Sequence, residues 1–134
     1  VIKEYGQLPL VNCYVGALNQ VFMNILSNAI DALEMGTSNW GITCETFSLP
    51  TIRIRTEIPH PDRVLIRIAD NGLGMSESTL KRIFNPFFTT KPVGSGTGLG
   101  LSISYSIVVK QHGGHLTCSS APGKGTEFVI DIFI

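Results

Sequence analysis

Several things are scarce in this chain, and each scarcity narrows its function. Neither sign of charge is in surplus: Lys and Arg number 10, Asp and Glu number 10, and the formal net charge is zero. Nor do the basic residues form a run, which argues against a nucleic-acid backbone as the main partner. Although 43% of the residues are hydrophobic, no stretch approaches the roughly 20 apolar residues that cross a bilayer. The chain does not open with the charged and then apolar segments of a signal peptide. Cys13, Cys44 and Cys118 are odd in number, far apart and outside any C-x-x-C. That pattern speaks against a disulfide framework and predicts three buried, reduced thiols in a cytoplasmic protein. His112 and His115 lie close to Cys118, but Gly113 and Gly114 break the helical spacing that a metal pair needs, so no metal site is expected there.

With 134 residues, the chain suffices for one domain with a real core and is too short for two. "LPLVNCYV", between Gly6 and Gly16, predicts an edge strand. Leu18, Phe22, Ile25, Ala29 and Leu33 then recur at helical spacing, and Gly36 is expected to end that helix before a loop reaching Pro50. "TIRIRTEI" and "RVLIRIAD" alternate as two strands of an antiparallel hairpin about "HPD". Ser76 can cap a short helix, a third helix runs from Leu99 to about Gln111, and "HLTCSS" and "TEFVIDIFI" are two last strands about the turn "APGKG". The sum is an α/β, two-layer α+β sandwich, with about three helices on one face of a mixed sheet.

Four stretches carry chemistry. In "SGTGLGLSIS", Gly96, Gly98 and Gly100 alternate into a helix start, although each glycine costs roughly 1 kcal/mol against alanine there. Bare backbone at a helix start suits an anion such as phosphate. The run is neither a Walker A loop, since Lys124 is followed by glycine, nor a dinucleotide fingerprint, since no strand precedes it. On the long helix, Asn24, Asn28 and Asp31 share one face amid apolar neighbours. Such a face can be plain solvated surface, yet two amide oxygens one turn apart also suit a hard cation such as Mg²⁺. "ADNGLGM" can be an ordinary Asn-Gly turn, but Asp70 closes an apolar strand, where a purine amino group would serve as its partner beside Gly72 and Gly74. "GKGTEF", alone, is a turn with Thr126 at a strand start.

Taken along the chain, the long-helix stretch, "ADNGLGM", "NPFFTTK", the glycine run and "GKGTEF" resemble the N, G1, F and G2 boxes and the last glycine box of the catalytic ATP-binding domain of two-component sensor histidine kinases. That family shares the Bergerat ATP fold with DNA gyrase, the heat-shock chaperone and mismatch-repair proteins, and the resemblance spans Leu18 to Ile134. It implies ATP and Mg²⁺ as cofactors, with Asn28 on the cation and Asn24 beside it near the phosphates, on the face shared with Asp31. Asp70 would take the adenine amino group, Gly72 and Gly74 would shape its pocket, and Thr126 would join the water network near the base. Phe84, Phe87 and Thr90 fall in the F box. Asn85 to Thr97 would form a lid, with Lys91 as the mobile cation for the γ-phosphate, and a mobile lid would order when ATP binds. Gly96, Thr97, Gly98, Leu99, Gly100 and Leu101 would meet the phosphates.

The resemblance also implies which reaction follows. Hydrolysing members of the wider group carry a glutamate one turn before the magnesium asparagine, and here that place is Asn24, which cannot take a proton from water. A histidine acceptor needs less help. The expected activity is therefore a protein-histidine kinase, ahead of a gyrase-type hydrolase, an anti-sigma-type serine kinase or an inactive binding module. None of His60, His112 and His115 stands in a phosphoacceptor context. The acceptor is expected on a separate dimerisation domain of the same protein, with a response regulator downstream; the chain, which starts at Val1, is read as a monomeric part of a larger protein that can be membrane-attached. The loop from Gly36 to Pro50, with Trp40 and Phe47, is expected to pack locally.

Overall fold

Alternation of apolar residues at period two builds the sheet. In the computed structural model, which describes residues 1–40, 49–88 and 99–134, five strands lie in the order β1-β2-β3-β5-β4. They are β1 (Ile2–Tyr5), β2 (Ile52–His60), β3 (Arg63–Asp70), β4 (His115–Ser120) and β5 (Thr126–Phe133). All neighbours are antiparallel except β1, which runs parallel to β2 with Ile2 opposite Arg53. The sheet is therefore mixed, as expected.

Strict pairing keeps one set of side chains on one face. Ile54, Ile68 and Phe128 are register partners in turn, and Val64 pairs with Ile132 and Ile130 with Leu116. These residues, with buried Ile52, form the floor on which the helices sit. The opposite face carries charge: Arg67 bridges Glu57 and Glu127, and Arg63 grips Asp131 through both its Nε and a terminal nitrogen.

Helix α1 (Val15–Trp40) lays Leu18, Val21, Ile25, Ala29 and Leu33 into the core. Four members of the expected stripe are buried as read; at the remaining position Val21 is fully buried whereas Phe22 is only half-buried against the core. Burying each large aliphatic side chain contributes about 1.5–3 kcal/mol. Helix α2 (Glu77–Leu80) starts from Ser76, whose hydroxyl accepts from the Thr79 N–H at 3.3 Å. Helix α3 (Gly100–Tyr105) runs on into a π-helical stretch, Ser106–Gln111.

Three expectations are corrected. "LPLVNCYV" is not a strand; the edge strand is Ile2–Tyr5, and Gly6 ends it by donating to the Thr56 carbonyl at 3.1 Å. Pro9, which lacks an N–H, is poorly suited to a ladder there. Gly36 does not end α1, which reaches Trp40; a glycine inside a helix costs about 1 kcal/mol, which lowers its propensity without forbidding it. Cys13 and Cys118 are partly buried rather than fully so; Cys44 and Phe47 lie outside the described residues.

Candidate nucleotide site

One row of side chains crosses three strands at the same end of the sheet. Asp70, the last residue of β3, is the register partner of Thr126, the first of β5, and Thr126 is the partner of Ser120, the last of β4. All three point to the helix side, where a continued apolar pattern would place aliphatic residues. Asp70 Oδ1 accepts from the Gly72 N–H at 2.8 Å. Its other oxygen has no hydrogen bond among the described residues. Burial pushes the Asp70 carboxyl above the ordinary carboxylate range, while the Gly72 N–H opposes that rise. Cys118, facing the same side, has its thiol pushed up to about 12 by burial and then by the charge of Asp70, which makes it an inert neighbour.

The glycines after Asp70 are fixed by packing. A Cβ at Gly72 would lie 2.9 Å from the Ala32 carbonyl of α1, and one at Gly74 would lie 2.0 Å from the Ala121 oxygen. Gly74 also has φ of 74°, which side chains rarely adopt. The expected room for a flat ring is thus joined by a second reason: only bare backbone lets this loop reach both α1 and the turn before β5.

Along α1 the site continues toward α3. Asn24 Nδ2 donates to the Gly100 carbonyl and to Ser104 Oγ, each at 3.1 Å, while Ser104 Oγ donates to the Gly100 carbonyl at 2.8 Å. Asn28 and Asp31 follow on the same helix, both half-buried. Since α1 rises 1.5 Å per residue, Asn24 beside Gly100 and Ala32 beside Gly72 are about 12 Å apart along its axis. The structure therefore brings Asn24 and Gly100 together at one end, Asp70, Gly72, Gly74 and Thr126 at the other, and Asn28 and Asp31 between.

The aromatic candidates separate. Phe84 packs on Tyr105 and Phe128, at ring distances of 5.3 and 6.5 Å, and so belongs to the core. Phe87 is 72% exposed with φ of 67°. Leu101 packs against the core, and Leu99 precedes the first turn of α3. Thr90, Lys91, Gly96, Thr97 and Gly98 lie outside the described residues, as does most of the expected lid. Sequence reading missed Ser104, which holds Gly100, and Ser120; the usable signal for Ser120 was a hydroxyl at an inward position of "HLTCSS".

His112 is occupied structurally. Tyr14 N–H donates to its Nε2 at 3.1 Å, so Nδ1 carries the proton and donates to the Ile107 carbonyl at 2.9 Å.

Comparison with known proteins decides the family. Residues 14–133 match the family described as histidine kinase-, DNA gyrase B- and HSP90-like ATPase. The chain belongs to that family. Within it, the chain resembles the sensor kinase CckA of Brucella abortus, at 42% identity over 124 residues, covering 90% of the chain and 13% of the relative. The catalytic domain of histidine kinase ThkA superposes with a TM-score of 0.75 at 29% identity, covering 98% of this chain and 78% of that one. Full-length ShkA in complex with AMPPNP matches with a TM-score of 0.75 at 25% identity, over 98% of this chain and 25% of that one. The chain spans between 12% and 21% of the length of the curated relatives it matches. As a histidine kinase-like ATPase domain, it is the ATP-binding catalytic domain of the histidine kinase branch, and the row at the end of β3, β5 and β4 is its candidate nucleotide site.

Proposed function

We propose that this domain binds Mg-ATP and delivers the γ-phosphoryl group to a histidine on a separate dimerisation domain of the same full-length protein, for passage to a response regulator. Asp70 carries the reading of the base. It is a half-buried carboxylate with one oxygen held by Gly72 and the other available to a ligand amino group. Phosphates would lie at the opposite end, by Gly100 and Leu101, with Gly96, Thr97, Gly98, Thr90 and Lys91 closing over them. Phe84 would support that wall from the core, while exposed Phe87 would face the lid or the partner.

A cation fits the donor set. Asn24 uses its nitrogen on Gly100 and Ser104, which leaves its amide oxygen as a hard ligand. Asn28, one turn on, would be the main ligand and Asp31 a neighbour, an oxygen set of the kind Mg²⁺ accepts with retained water. When bound, the ion neutralises charge on the phosphate oxygens. The protein's part is to hold the nucleotide straight and to aim its terminal phosphate outward.

Transfer rather than hydrolysis follows from Asn24. A glutamate at this place would set a carboxylate against the Gly100 carbonyl, where Asn24 now donates alongside Ser104. The amide holds α3 and cannot deprotonate water. None of the three histidines serves as acceptor in this reading: His112 has both ring nitrogens engaged, His60 ends β2, and His115 lies 3.9 Å from Asp131. No helix among the described residues is long and apolar enough to cross a membrane; a cytoplasmic, monomeric fragment is the arrangement proposed.

Mixing the domain with a candidate histidine hairpin and γ-labelled ATP tests the whole reading. Acid-labile phosphate on the hairpin is expected. Release of inorganic phosphate in steady turnover with no labelled hairpin would refute it.

A further inference from the structure

Ser120 has no role in the reading above, yet its hydroxyl meets three partners. It accepts from the Met75 N–H at 2.8 Å, touches the Gly125 carbonyl at 2.8 Å and lies 2.9 Å from Thr126 Oγ1. A hydroxyl has one hydrogen, and a carbonyl can only accept. The Ser120 hydrogen must therefore go to Gly125. What remains at Ser120 toward Thr126 is a lone pair, so Thr126 has to be the donor in that contact. With its single hydrogen spent on Ser120, Thr126 Oγ1 shows only lone pairs to anything else that approaches it.

That settles the polarity of the wall. Asp70, register partner of Thr126, shows a carboxylate oxygen with no hydrogen bond among the described residues. Side by side, the two groups form an acceptor-only edge. Such an edge suits an exocyclic amine, which has two N–H groups, and repels a ring carbonyl at the same place. We infer that Ser120 is a positioning residue that sets nucleotide specificity, by holding Thr126 as an acceptor so that the pocket takes 6-amino purines and rejects 6-oxo purines. The inference rests on the adenine-nucleotide reading and adds the residue that enforces it.

Freed from Ser120, the Thr126 hydroxyl can rotate and donate to a 6-oxo group. Calorimetry on the parent domain and on Ser120→Ala, with ATP and with inosine triphosphate, measures the ratio of the two dissociation constants. The parent is expected to favour ATP, and in Ser120→Ala the preference should shrink about tenfold, the effect of one hydrogen bond changing sign. Ser120→Cys, close in volume but a poor hydrogen-bonding group, should shrink it similarly and provides the same readout if the alanine variant does not fold. Ser120→Thr, which keeps the hydroxyl, should restore it. Equal weakening of both nucleotides, with the ratio unchanged, would show that Ser120 only supports the fold and would overturn its role here. Failure of the parent to bind either nucleotide would instead overturn the adenine reading, and this inference with it.

Discussion

Gly100→Ala separates a glycine kept for folding from one kept for a ligand. A Cβ at Gly100 would lie 3.6 Å from Asn24 Cγ, 3.7 Å from its Oδ1 and 3.8 Å from its Cβ. Those are ordinary van der Waals distances, so the methyl costs no steric strain. Gly100 opens α3, where alanine is the better residue by up to about 1 kcal/mol. In a chain of this length that corresponds to a melting temperature higher by up to about 4 °C. Binding should move the other way. The methyl fills the gap between the start of α3 and the Asn24 oxygen, where the phosphates and their cation are proposed to sit. Losing one charge-assisted hydrogen bond there costs about 1.5–3 kcal/mol, or roughly 10- to 150-fold in affinity. Thermal melts without nucleotide and titration with Mg-ATP give the two numbers. Unchanged affinity in a domain of equal or higher stability would refute the placement of phosphate at Gly100. A marked loss of stability would refute the packing argument instead.

Gly125→Ala should behave oppositely: its Cβ would meet the Asp70 carbonyl at 2.0 Å, and φ is 78°, so a loss of about 3 kcal/mol or more is expected in denaturant melts. Asp70→Asn can keep the Gly72 N–H bond but turns a donor toward the ligand, weakening ATP by about 1–3 kcal/mol in calorimetry. Burial raises the Asp70 carboxyl, so its effect on stability is favourable at low pH and is lost as pH rises through the folded value. The asparagine domain should consequently be at least as stable as the parent at pH 7, and that relative advantage should shrink as pH falls toward 3.8. Asn28→Ala should weaken Mg-ATP binding far more than binding of metal-free ATP; equal losses in the two titrations would remove Asn28 from the cation.

The strands and helices of the core were legible because their apolar periods are long. β3 and β5 alternate over eight residues each, and α1 repeats its stripe over four turns. The N-terminal edge strand was not, since "IKEY" is four mostly exposed residues whose pairing is decided by β2, far along the chain. Nor was the π-helical form of the end of α3, where Ile107 and Val108 are buried, although a helix to about Gln111 was. At the site, Asp70 and Asn24 stood out as polar residues in apolar settings. The glycines were legible as special but not as to why: for Gly72 and Gly74 the answer lies at Ala32 and Ala121, contacts with residues far away in sequence.

The acceptor row has a consequence for assembly. Asp70, Thr126 and Ser120 occupy terminal rungs of two ladders, β3 with β5 and β5 with β4. The β3–β5 ladder, unlike the local β4–β5 hairpin, joins residues far apart in sequence and closes late, after loop entropy has been overcome. A nascent or partly folded chain can therefore have α1 and the β2–β3 hairpin in place and still lack a base site. Affinity for the nucleotide then reports completion of the fold, and occupancy by ligand favours the finished sheet as a whole over every partial one.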